Sequence, residues 1–481
     1  GSDPGSEYDP AVKSRPFFRL LILGLLALAL VPASAGASVA GAAKRLDNLR
    51  DQPQRLRQFL LGMPKGTDLH THLSGAVYAE AMIRWGAEDG KCVDPVTFVS
   101  TFPPCTGSQV PLTTALTNTQ LWDQILAAWS MREFRPDAFS GHNHFFATFD
   151  LFGSAFSGRQ GDGLAQVTQR AASQNVQYVE PLITPQFGAT LAIANQVGYI
   201  PDFAEMREAM LGAGITNAIP AAGLTASNAL GRESDLLGCA TEDPQPGCGV
   251  LVHFDVQVLR NQLPAVVFAQ LLFGMELMKA DPNWAGMNMV QPEDAAYSTS
   301  DYNLHMRMVR YLRSVYPDES VTLHAGELVP GIVPPDDLRF HIRQAVNIAG
   351  ADRIGHGADL RWERNPDQIL RSMKSKGTCL EANLTSNQQI LRLSGKRHPI
   401  TDYVRAGIKV TLSTDDEGVS RTDLTAQYVK AVRQHGFGYR RLKQFATYGL
   451  RCAFLTAAEK KAALADQKQR FRKFEARFPS R

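Results

Sequence analysis

Short apolar runs with the pattern of buried strands alternate with helical segments along most of this 481-residue chain. The runs lie at 67–73, 176–183, 250–259, 284–290, 321–323, 353–355, 378–382 and 409–413. The helical segments 336–348, 367–376 and 401–406 carry apolar residues at three- and four-residue spacing and end at glycine. This alternation predicts an α/β fold, namely a (β/α)8 TIM barrel with long inserted loops and an N-terminal helical extension.

The predicted barrel is one domain over residues 43–481. It begins with an amphipathic helix at 43–61 and ends in a basic, helical tail from residue 457, for which a solvated face is expected. Two connections, 90–121 and 184–249, exceed ordinary loop length and are expected to be functional covers or packed excursions. The second contains a predicted helix at 202–211.

Residues 1–42 are interpreted as a polar leader followed by a secretory signal peptide. Arg15 and Arg19 precede an apolar run at 20–31, and small residues follow at 32–36. The run is shorter than the roughly 20 residues that span a bilayer, so no stable membrane anchor is expected. We therefore expect an exported protein, either periplasmic or secreted.

The six cysteines are compatible with export. The pairs that could close short loops as disulfides are Cys92 with Cys105 and Cys239 with Cys248. Cys379 and Cys452 lie in apolar runs and are predicted to be buried thiols. Six unpaired thiols in a cytosolic enzyme are the alternative.

The composition, with 44% hydrophobic and 20% charged residues, is that of a folded globular protein. A formal charge of +3 on 481 residues predicts neither nucleic acid nor an anionic surface as a partner. The sequence pattern does not decide the oligomeric state.

Histidine and aspartate cluster where the predicted strands end. His70 and His72 are one residue apart on the first strand, which places both imidazoles on one face. His324 and Asp415 lie at the ends of later strands, and in a barrel such ends meet at one place. Three histidines and an aspartate there predict a site for one zinc ion with an open position for water. The histidines interpreted as structural are His142, His144, His253, His305, His341 and His398.

Two further residues could move protons beside this metal. Glu327 follows His324 across an Ala-Gly turn, and a desolvated pocket would raise the pKa of its carboxyl until it can protonate a substrate. His356 could take a proton from the activated water or steady a developing oxyanion. Of the adjacent carboxylates Asp415 and Asp416, one could ligate the metal while the other accepts a hydrogen bond from substrate. This set predicts hydrolytic displacement at an electron-poor carbon.

Five segments together resemble the adenosine deaminase family of the metal-dependent hydrolase superfamily. They are 64–75 with its His-Thr-His, His-Ala-Gly-Glu at 324–327, Arg-Ile-Gly-His-Gly at 353–357, Leu-Thr-Ser-Asn at 384–387 and Ser-Thr-Asp-Asp at 413–416. The resemblance runs from about Pro64 to Tyr428. The secretory signal and the cysteine-bearing loops are also similar to the secreted, growth-factor-like branch of that family.

The resemblance assigns a role to each candidate residue. The zinc ligands would be His70, His72, His324 and Asp415. Glu327 would protonate a purine at N1, His356 would orient the attacking water, and Asp416 would hold the ring at N7. Phe145 and Phe149 match an apolar helix over the pocket, although a stripe of core-facing aromatic residues would explain them equally well.

Three positions depart from the family pattern and bear on how sugar and ring are held. Ser74 replaces the aspartate that usually meets the ribose. Gln291 occupies the place of a glycine whose backbone meets purine N3. Glu417 replaces a proline that often follows the aspartate pair.

The leading hypothesis is a zinc-dependent aminohydrolase that converts adenosine or deoxyadenosine to inosine or deoxyinosine and ammonia. The first alternative is a deaminase of another 6-aminopurine, namely adenine, AMP or a modified adenosine, which Ser74 and Gln291 keep open. The second is an exported binding protein that keeps the fold without turnover. Glu327 argues against that reading, because a binder has no need of the acid.

Overall fold

The computed structural model describes residues 39–134 and 140–479. Most of the predicted leader and signal peptide, residues 1–38, lies outside the described residues. The first helix, Val39–Leu49, begins inside the range assigned to the leader. A second helix, Pro53–Gly62, follows it, so the single helix predicted at 43–61 is wrong. Pro53 explains the break, because proline disfavours a helical conformation in the residue before it and suits a first turn.

Eight parallel strands form the centre of the fold, and we number them in chain order. They are β1 (Gly66–His72), β2 (Val176–Ile183), β3 (Phe254–Leu259), β4 (Trp284–Val290), β5 (Thr322–Ala325), β6 (Arg353–His356), β7 (Cys379–Ala382) and β8 (Val410–Leu412). Each lies within or beside one of the predicted apolar runs. The run 250–259 is interrupted at His253, and its first part, Leu251–Val252, forms a short strand beside β2.

The strands form two parallel sheets, in the orders β1-β2-β3-β4 and β8-β7-β6-β5. Single parallel bridges join them at both seams, between Thr71 and Asp415 and between Met287 and Val321. Strands buried on both faces are typical of parallel sheets covered by helices, and β1 and β2 are buried along their whole length. The predicted α/β fold is therefore confirmed. Closure into one barrel stays a prediction, because the described residues form no continuous ladder at either seam.

Helices surround these sheets. The α-helices between β1 and β4 are Leu73–Ala76, Ala79–Glu88, Thr113–Thr117, Thr119–Ala128, Gly141–Phe156, Gln160–Ser173, Phe187–Val197, Phe203–Gly212, Ile219–Leu237 and Pro264–Ala280. Those after β4 are Ala296–Ser300, Tyr302–Val315, His341–Gln344, Pro366–Lys376, Leu384–Leu391, Ile400–Ala406, Leu424–Arg433, Tyr439–Cys452 and Ala457–Glu475. The predicted helix 336–348 is instead a 3-10 turn at Asp337–Arg339, a short α-helix and a π turn at Ala345–Ala349.

The two long connections have structure of their own. Residues 92–111 form a small antiparallel sheet of three two-residue strands. The connection 184–249 is largely helical: the predicted helix at 202–211 is Phe203–Gly212, which Asp202 caps through the backbone amides of Ala204 and Glu205. Both connections are therefore packed excursions rather than plain loops.

The C-terminal tail is a helix, as predicted, and it is not solvated all round. Thr456 and Glu459 form a capping box at its first turn. Phe471 and Phe474 are buried, and Phe474 contacts Phe59 of the second helix at 5.1 Å between ring centroids. Among residues 39–134 and 140–479 no single helix has both the length and the apolar character of a membrane span, although the bent pair Phe203–Gly212 and Ile215–Leu237 passes that test together.

Three disulfides cross-link the described part of the chain. Both short-loop pairs proposed from the sequence are bonded, Cys92 with Cys105 and Cys239 with Cys248. The interpretation of the remaining two cysteines as buried thiols is wrong, because Cys379 and Cys452 form the third bond. It joins β7 to the end of helix Tyr439–Cys452 across a separation of 73 residues.

We expect the Cys379–Cys452 bond to stabilise the fold more than either short-loop bond. Closing a loop of this length removes about 4 kcal/mol of chain entropy from the unfolded state, against about 2.5 kcal/mol for the loop closed by Cys239 and Cys248. Denaturant unfolding of a double Cys→Ala variant of each pair gives the free energy of unfolding that is lost with each bond. Equal losses would show that loop length does not set the contribution.

Candidate active site

The seam between β1 and β8 brings three of the predicted metal ligands together. The Asp415 backbone amide donates to the His70 carbonyl at 2.8 Å, and the His72 amide donates to the Asp415 carbonyl at 3.1 Å. This pairing fixes the Asp415 side chain beside both imidazoles: Oδ1 lies 3.5 Å from His70 Nε2 and 3.3 Å from His72 Nε2. Asp415 has φ of +64°, an uncommon conformation outside glycine that is often found at functional sites.

His324 on β5 completes the cluster. Its Nε2 lies 3.1 Å from Nε2 of His70. One ligand atom from each of His70, His72, His324 and Asp415 lies within 4.8 Å of every other. The structure therefore gathers all four ligands predicted from the sequence, although 254 residues separate His70 from His324 in the chain.

Each imidazole of the cluster is held by its other nitrogen. The three contacts are His70 Nδ1 with Glu381 Oε2 at 2.7 Å, His72 Nδ1 with Gln257 Oε1 at 2.8 Å and His324 Nδ1 with Asn288 Oδ1 at 2.9 Å. All three partners are oxygens and accept, so each Nδ1 carries a proton and donates. The amide of Asn288 is oriented by a backbone donor, because its Oδ1 also accepts from the His324 N–H at 2.9 Å. Neutral imidazoles then have an unprotonated Nε2.

This arrangement fits a metal ion. Three Nε2 atoms and a carboxylate oxygen face one another at 3.1–3.5 Å, an arrangement that requires either a cation or a proton among them. Burial opposes a charged His70, but Asp415 and Glu381 raise the pKa of that imidazole to about 10 when no metal is bound, so a metal ion binding here would displace a proton. Nitrogen and oxygen donors in a closed set of four, with an oxygen partner behind each histidine, are typical of zinc and its outer shell.

A buried ion-pair network supports His70 from below. Glu381, which accepts from His70, also accepts from Arg353 and from Thr322 Oγ1. Burial opposes ionisation of Glu381, but the Arg353 guanidinium lowers the pKa of that carboxyl below its ordinary value. Arg353 pairs in addition with Glu180. The charged Glu381 therefore keeps the His70 proton on Nδ1 and leaves Nε2 free to bind a metal.

Glu327 lies beside the cluster in the turn after β5, as predicted. Its side chain is buried, and Oε1 is 3.3 Å from His356 Nδ1. Burial, followed by repulsion from Asp415 and Glu293, raises the pKa of Glu327 well above its ordinary value. This direction favours the protonated carboxyl, which can donate and is the state required of a general acid.

Glu293, which the sequence did not single out, holds the turn that carries Glu327. Its carboxylate accepts from the backbone amides of Gly326 at 2.9 Å and Glu327 at 2.7 Å, and it pairs with His341. Burial opposes ionisation, yet the interaction with His341 lowers the pKa of Glu293 to about 2. The charged carboxylate of Glu293 and the carboxyl of Glu327 with its raised pKa thus lie close together in space, although 34 residues separate them in sequence.

His356, at the end of β6, faces the same site. Its Nε2 lies 4.0 Å from Asp415 Oδ2, and the residue has φ of +67°. Burial lowers the pKa of this imidazole to about 3, so it is neutral.

Asp416 is buried next to Asp415 and lines the cavity in front of the cluster. Burial and the neighbouring Asp415 raise its pKa well above the ordinary value, which favours a protonated carboxyl that can donate as well as accept. Gly75 leaves room for it: a methyl group at Gly75 would lie 1.7 Å from Asp416 Oδ1.

The cavity has a volume of about 430 Å³, within the range of small-molecule sites. Phe145 and Phe149, on helix Gly141–Phe156, line it together with Phe146. The aromatic residues predicted from the sequence therefore do face the cavity. Ser74 is half-buried and is absent from the described residues that line it.

The other two departures from the family pattern have structural explanations. Gln291 lines the cavity with φ of +82°, a conformation that glycine adopts readily, and its Oε1 accepts from the Asn261 amide. The backbone shape expected of glycine is therefore kept. Glu417 is buried and pairs with Arg170 at 3.1 Å, which makes it structural.

Sequence reasoning missed the residues that orient the ligands. They are Gln257, Asn288, Glu381 and Glu293, all polar and buried or half-buried. Asn288 and Glu381 share a pattern that marks them as candidates, a single polar side chain in an otherwise apolar strand. His142, interpreted as structural, pairs with Asp294 at 2.8 Å and takes no part in the metal cluster.

Comparison with known proteins gives a consistent result. Residues 285–469 match the family model described as adenosine deaminase. Curated adenosine deaminases from Escherichia coli strains, among them S88 and O1:K1, are 32% identical over 143 residues, which is 30% of this chain. The match spans 40% of the length of these relatives.

Solved structures resemble the chain over most of its length. An adenine deaminase from Arthrobacter aurescens has a TM-score of 0.55 at 16% identity, over 84% of this chain and 98% of that one. An Arabidopsis N6-mAMP deaminase has a TM-score of 0.55 at 18% identity, over 86% and 99%. A cog1816 amidohydrolase from Burkholderia ambifaria, solved with bound Zn, has a TM-score of 0.54 at 17% identity, over 88% and 94%. At these identities the likeness establishes the fold.

Proposed function

Because this chain is related to the adenosine deaminase family, we propose that it is a zinc-dependent aminohydrolase that deaminates adenosine or deoxyadenosine. One observation carries the proposal: the four-ligand cluster, the neutral acid Glu327 and the neutral Asp416 all open on one cavity. We also infer that the two parallel sheets act as one eight-stranded barrel, with the cluster at the C-terminal ends of its strands.

The residues divide the chemistry between them. Zinc held by the cluster would supply a water that is activated for attack at neutral pH. Glu327 donates its proton to a ring nitrogen, which makes the adjacent ring carbon more electron-poor. Asp416, also protonated, donates to a second ring nitrogen and fixes the purine in plane. The aromatic helix covers the ring and excludes water.

The charge of the cavity favours a nucleoside over a nucleotide. None of the described residues that line it is lysine or arginine. With Glu327 and Asp416 in their protonated forms and Asp415 on the metal, Asp150 is the lining carboxylate that a phosphate would meet. Placing a phosphate beside like charge without a cationic partner costs several kcal/mol. Deaminases of adenine and of N6-mAMP are among the structural neighbours. Adenine and modified adenosines are therefore the second candidate substrates, because Ser74 and Gln291 depart from the pattern of family members that act on adenosine.

A substrate panel tests this proposal. We expect kcat/KM for adenosine and deoxyadenosine to exceed that for AMP by about 100-fold, measured as ammonia release from purified, metal-analysed protein. Adenine and N6-methyladenosine complete the panel. Asp150→Lys should raise kcat/KM for AMP and so reduce its difference from kcat/KM for adenosine. AMP turned over as well as adenosine by the unmodified chain would contradict the assignment of substrate.

We expect Gly75→Ala to lower kcat/KM by about 10–100-fold, because the added methyl displaces Asp416 from the ring. Gly153→Ala on helix Gly141–Phe156 is the matched control, since nothing lies within 4 Å of a methyl group there. Metal content should be the same in both variants. Equal kinetics would remove Asp416 from the role given to it.

We further propose that the protein is exported. Three disulfides join all six cysteines of the chain, and such bonds persist in oxidising compartments. The amino-terminal pattern of positive charge, apolar run and small residues supports the same proposal. Cell fractionation, with mass spectrometry of the mature N-terminus, tests it. Protein retained in the cytosol with reduced cysteines would contradict it.

A further inference from the structure

A buried row of hydrogen-bonding groups leads away from His356 on the side opposite the metal cluster. Asn387 Nδ2 lies 2.8 Å from His356 Nδ1, and Asn387 Oδ1 lies 3.0 Å from His398 Nε2. The row ends at the backbone, where the Ile400 amide is 3.2 Å from His398 Nδ1. All three side chains are at most 1% exposed, so water does not reach the row from outside.

The backbone fixes the direction of every bond in the row. The Ile400 N–H can only donate, so His398 Nδ1 accepts and the proton of this neutral ring is on Nε2. Burial, with His435 nearby, lowers the pKa of His398 to about 3, which keeps the ring neutral. Nε2 then donates to Asn387 Oδ1, and the other end of that amide, Nδ2, donates to His356 Nδ1. His356 is left with its proton on Nε2.

One neighbouring contact requires a rotated amide to agree with this direction. Asn383 Nδ2 is the atom that lies 3.5 Å from His356 Nε2, whereas Asn383 Oδ1 has no partner among the described residues. Exchanging the two ends of this amide would bring Oδ1 to Nε2, where it would accept the Nε2 proton. Glu327 Oε1 lies 3.3 Å from His356 Nδ1, but the one lone pair of that nitrogen already accepts from Asn387, so this contact does not bear on the tautomer. Reversing the row would instead oppose two N–H groups at Ile400.

We propose that His398 is a positioning residue that acts through Asn387 to hold His356 in the tautomer protonated on Nε2. His356 then presents a donor, not a base, to the oxygen that attacks the substrate. This decides between the two roles that the sequence left open for His356. The tautomer stands on hydrogen-bond geometry alone, whereas its catalytic consequence rests on the proposed deaminase function.

The 15N resonance of a protonated histidine nitrogen is well separated from that of an unprotonated one. NMR therefore provides a test of the tautomer that does not depend on turnover. We expect long-range 1H–15N spectra of the zinc-loaded protein to show His356 with Nδ1 unprotonated and Nε2 protonated. His356→Gln identifies the resonances by their loss. Asn387→Asp, once its carboxylate is ionised in a pH series, accepts from both histidines and should move the His356 proton to Nδ1.

His398→Phe removes the donor without depending on the ionisation of residue 387. We expect this variant to leave His356 in a mixture of tautomers and to lower kcat by about 100-fold at unchanged zinc content. A larger loss of kcat, about 10⁴-fold, is typical of sites where a reversed tautomer disables a general base. His398→Gln can still donate to Asn387, so it should keep most of the single tautomer of His356 and most of kcat. His435→Phe is the matched control, because its ring packs 5.8 Å from His398 outside the row.

The outcomes separate the two proposals. An unaltered His356 spectrum in both His398→Phe and ionised Asn387→Asp overturns the positioning role. A wild-type spectrum with the proton on Nδ1 overturns it as well. The expected tautomer in a protein that deaminates nothing in the substrate panel would sink the proposed function and leave this inference intact. Melting temperatures of all variants identify any that fail to fold, in which case His398→Gln decides.

Discussion

Glu327→Gln is expected to lower the deamination rate by about 10²–10⁴-fold while zinc stays bound. The amide keeps the shape of the acid and the backbone contacts to Glu293, but it has no proton to give to a ring nitrogen. The metal ligands are unaffected, because Glu327 is outside the four-residue cluster. Single-turnover rates with elemental analysis of the same sample measure both effects.

The pH dependence follows from the same residue. Burial and nearby carboxylates raise the pKa of Glu327, so the protonated, active form is present at neutral pH and is lost as the pH rises through that raised value. We expect the rate of the unmodified protein to fall on the alkaline side. Glu327→Gln should lack this limb. Asp150→Asn, a carboxyl lining the same cavity, is the control and should keep it. Unchanged turnover in Glu327→Gln would refute the assigned role.

The metal ligands could be predicted because each belongs to a short local motif at a strand end. His70 and His72 need only the two-residue period of a strand to share a face. Their convergence with His324 and Asp415 follows from the rule that parallel strands deliver their ends to one place. The eight strands were recognisable for a similar reason, since each is a short apolar run of its own.

The residues that position these ligands could not be predicted in the same way. Glu381 stands out as the one polar residue of an apolar strand, but its pairing with His70 depends on the register between β7 and its neighbours, which no local pattern encodes. Cys379 and Cys452 were missed likewise, since 73 residues separate two cysteines that only packing brings together. Within 184–249 only the helix at 202–211 was predicted, and helices Phe187–Val197 and Ile219–Leu237 were missed. Local sequence motifs therefore predicted the metal ligands, whereas the residues that orient those ligands depend on how distant segments pack together.

His70→Ala should lose the metal and with it all measurable turnover. The variant removes one of four ligands, and changes to outer partners alone cost about 10–100-fold in affinity. We therefore expect zinc affinity to fall by more than about 100-fold in His70→Ala and by about 10–100-fold in Asn288→Ala, which frees only the orientation of His324. Elemental analysis after dialysis, and competition with a chromogenic chelator, give the two values.

The second His-x-His motif of the chain provides the control for this experiment. His142 is half-buried and paired with Asp294, away from the cluster, so His142→Ala should keep full zinc content and turnover. Added zinc should raise the melting temperature of the metal-stripped wild type and of His142→Ala but not of His70→Ala, because a ligand stabilises a fold only by binding it. Metal retained at full stoichiometry in His70→Ala would mean that the facing Nε2 atoms are not where the cation binds. The repulsion among those unprotonated atoms would then have to be relieved by a proton instead, and the case for a hydrolytic metal centre would fail.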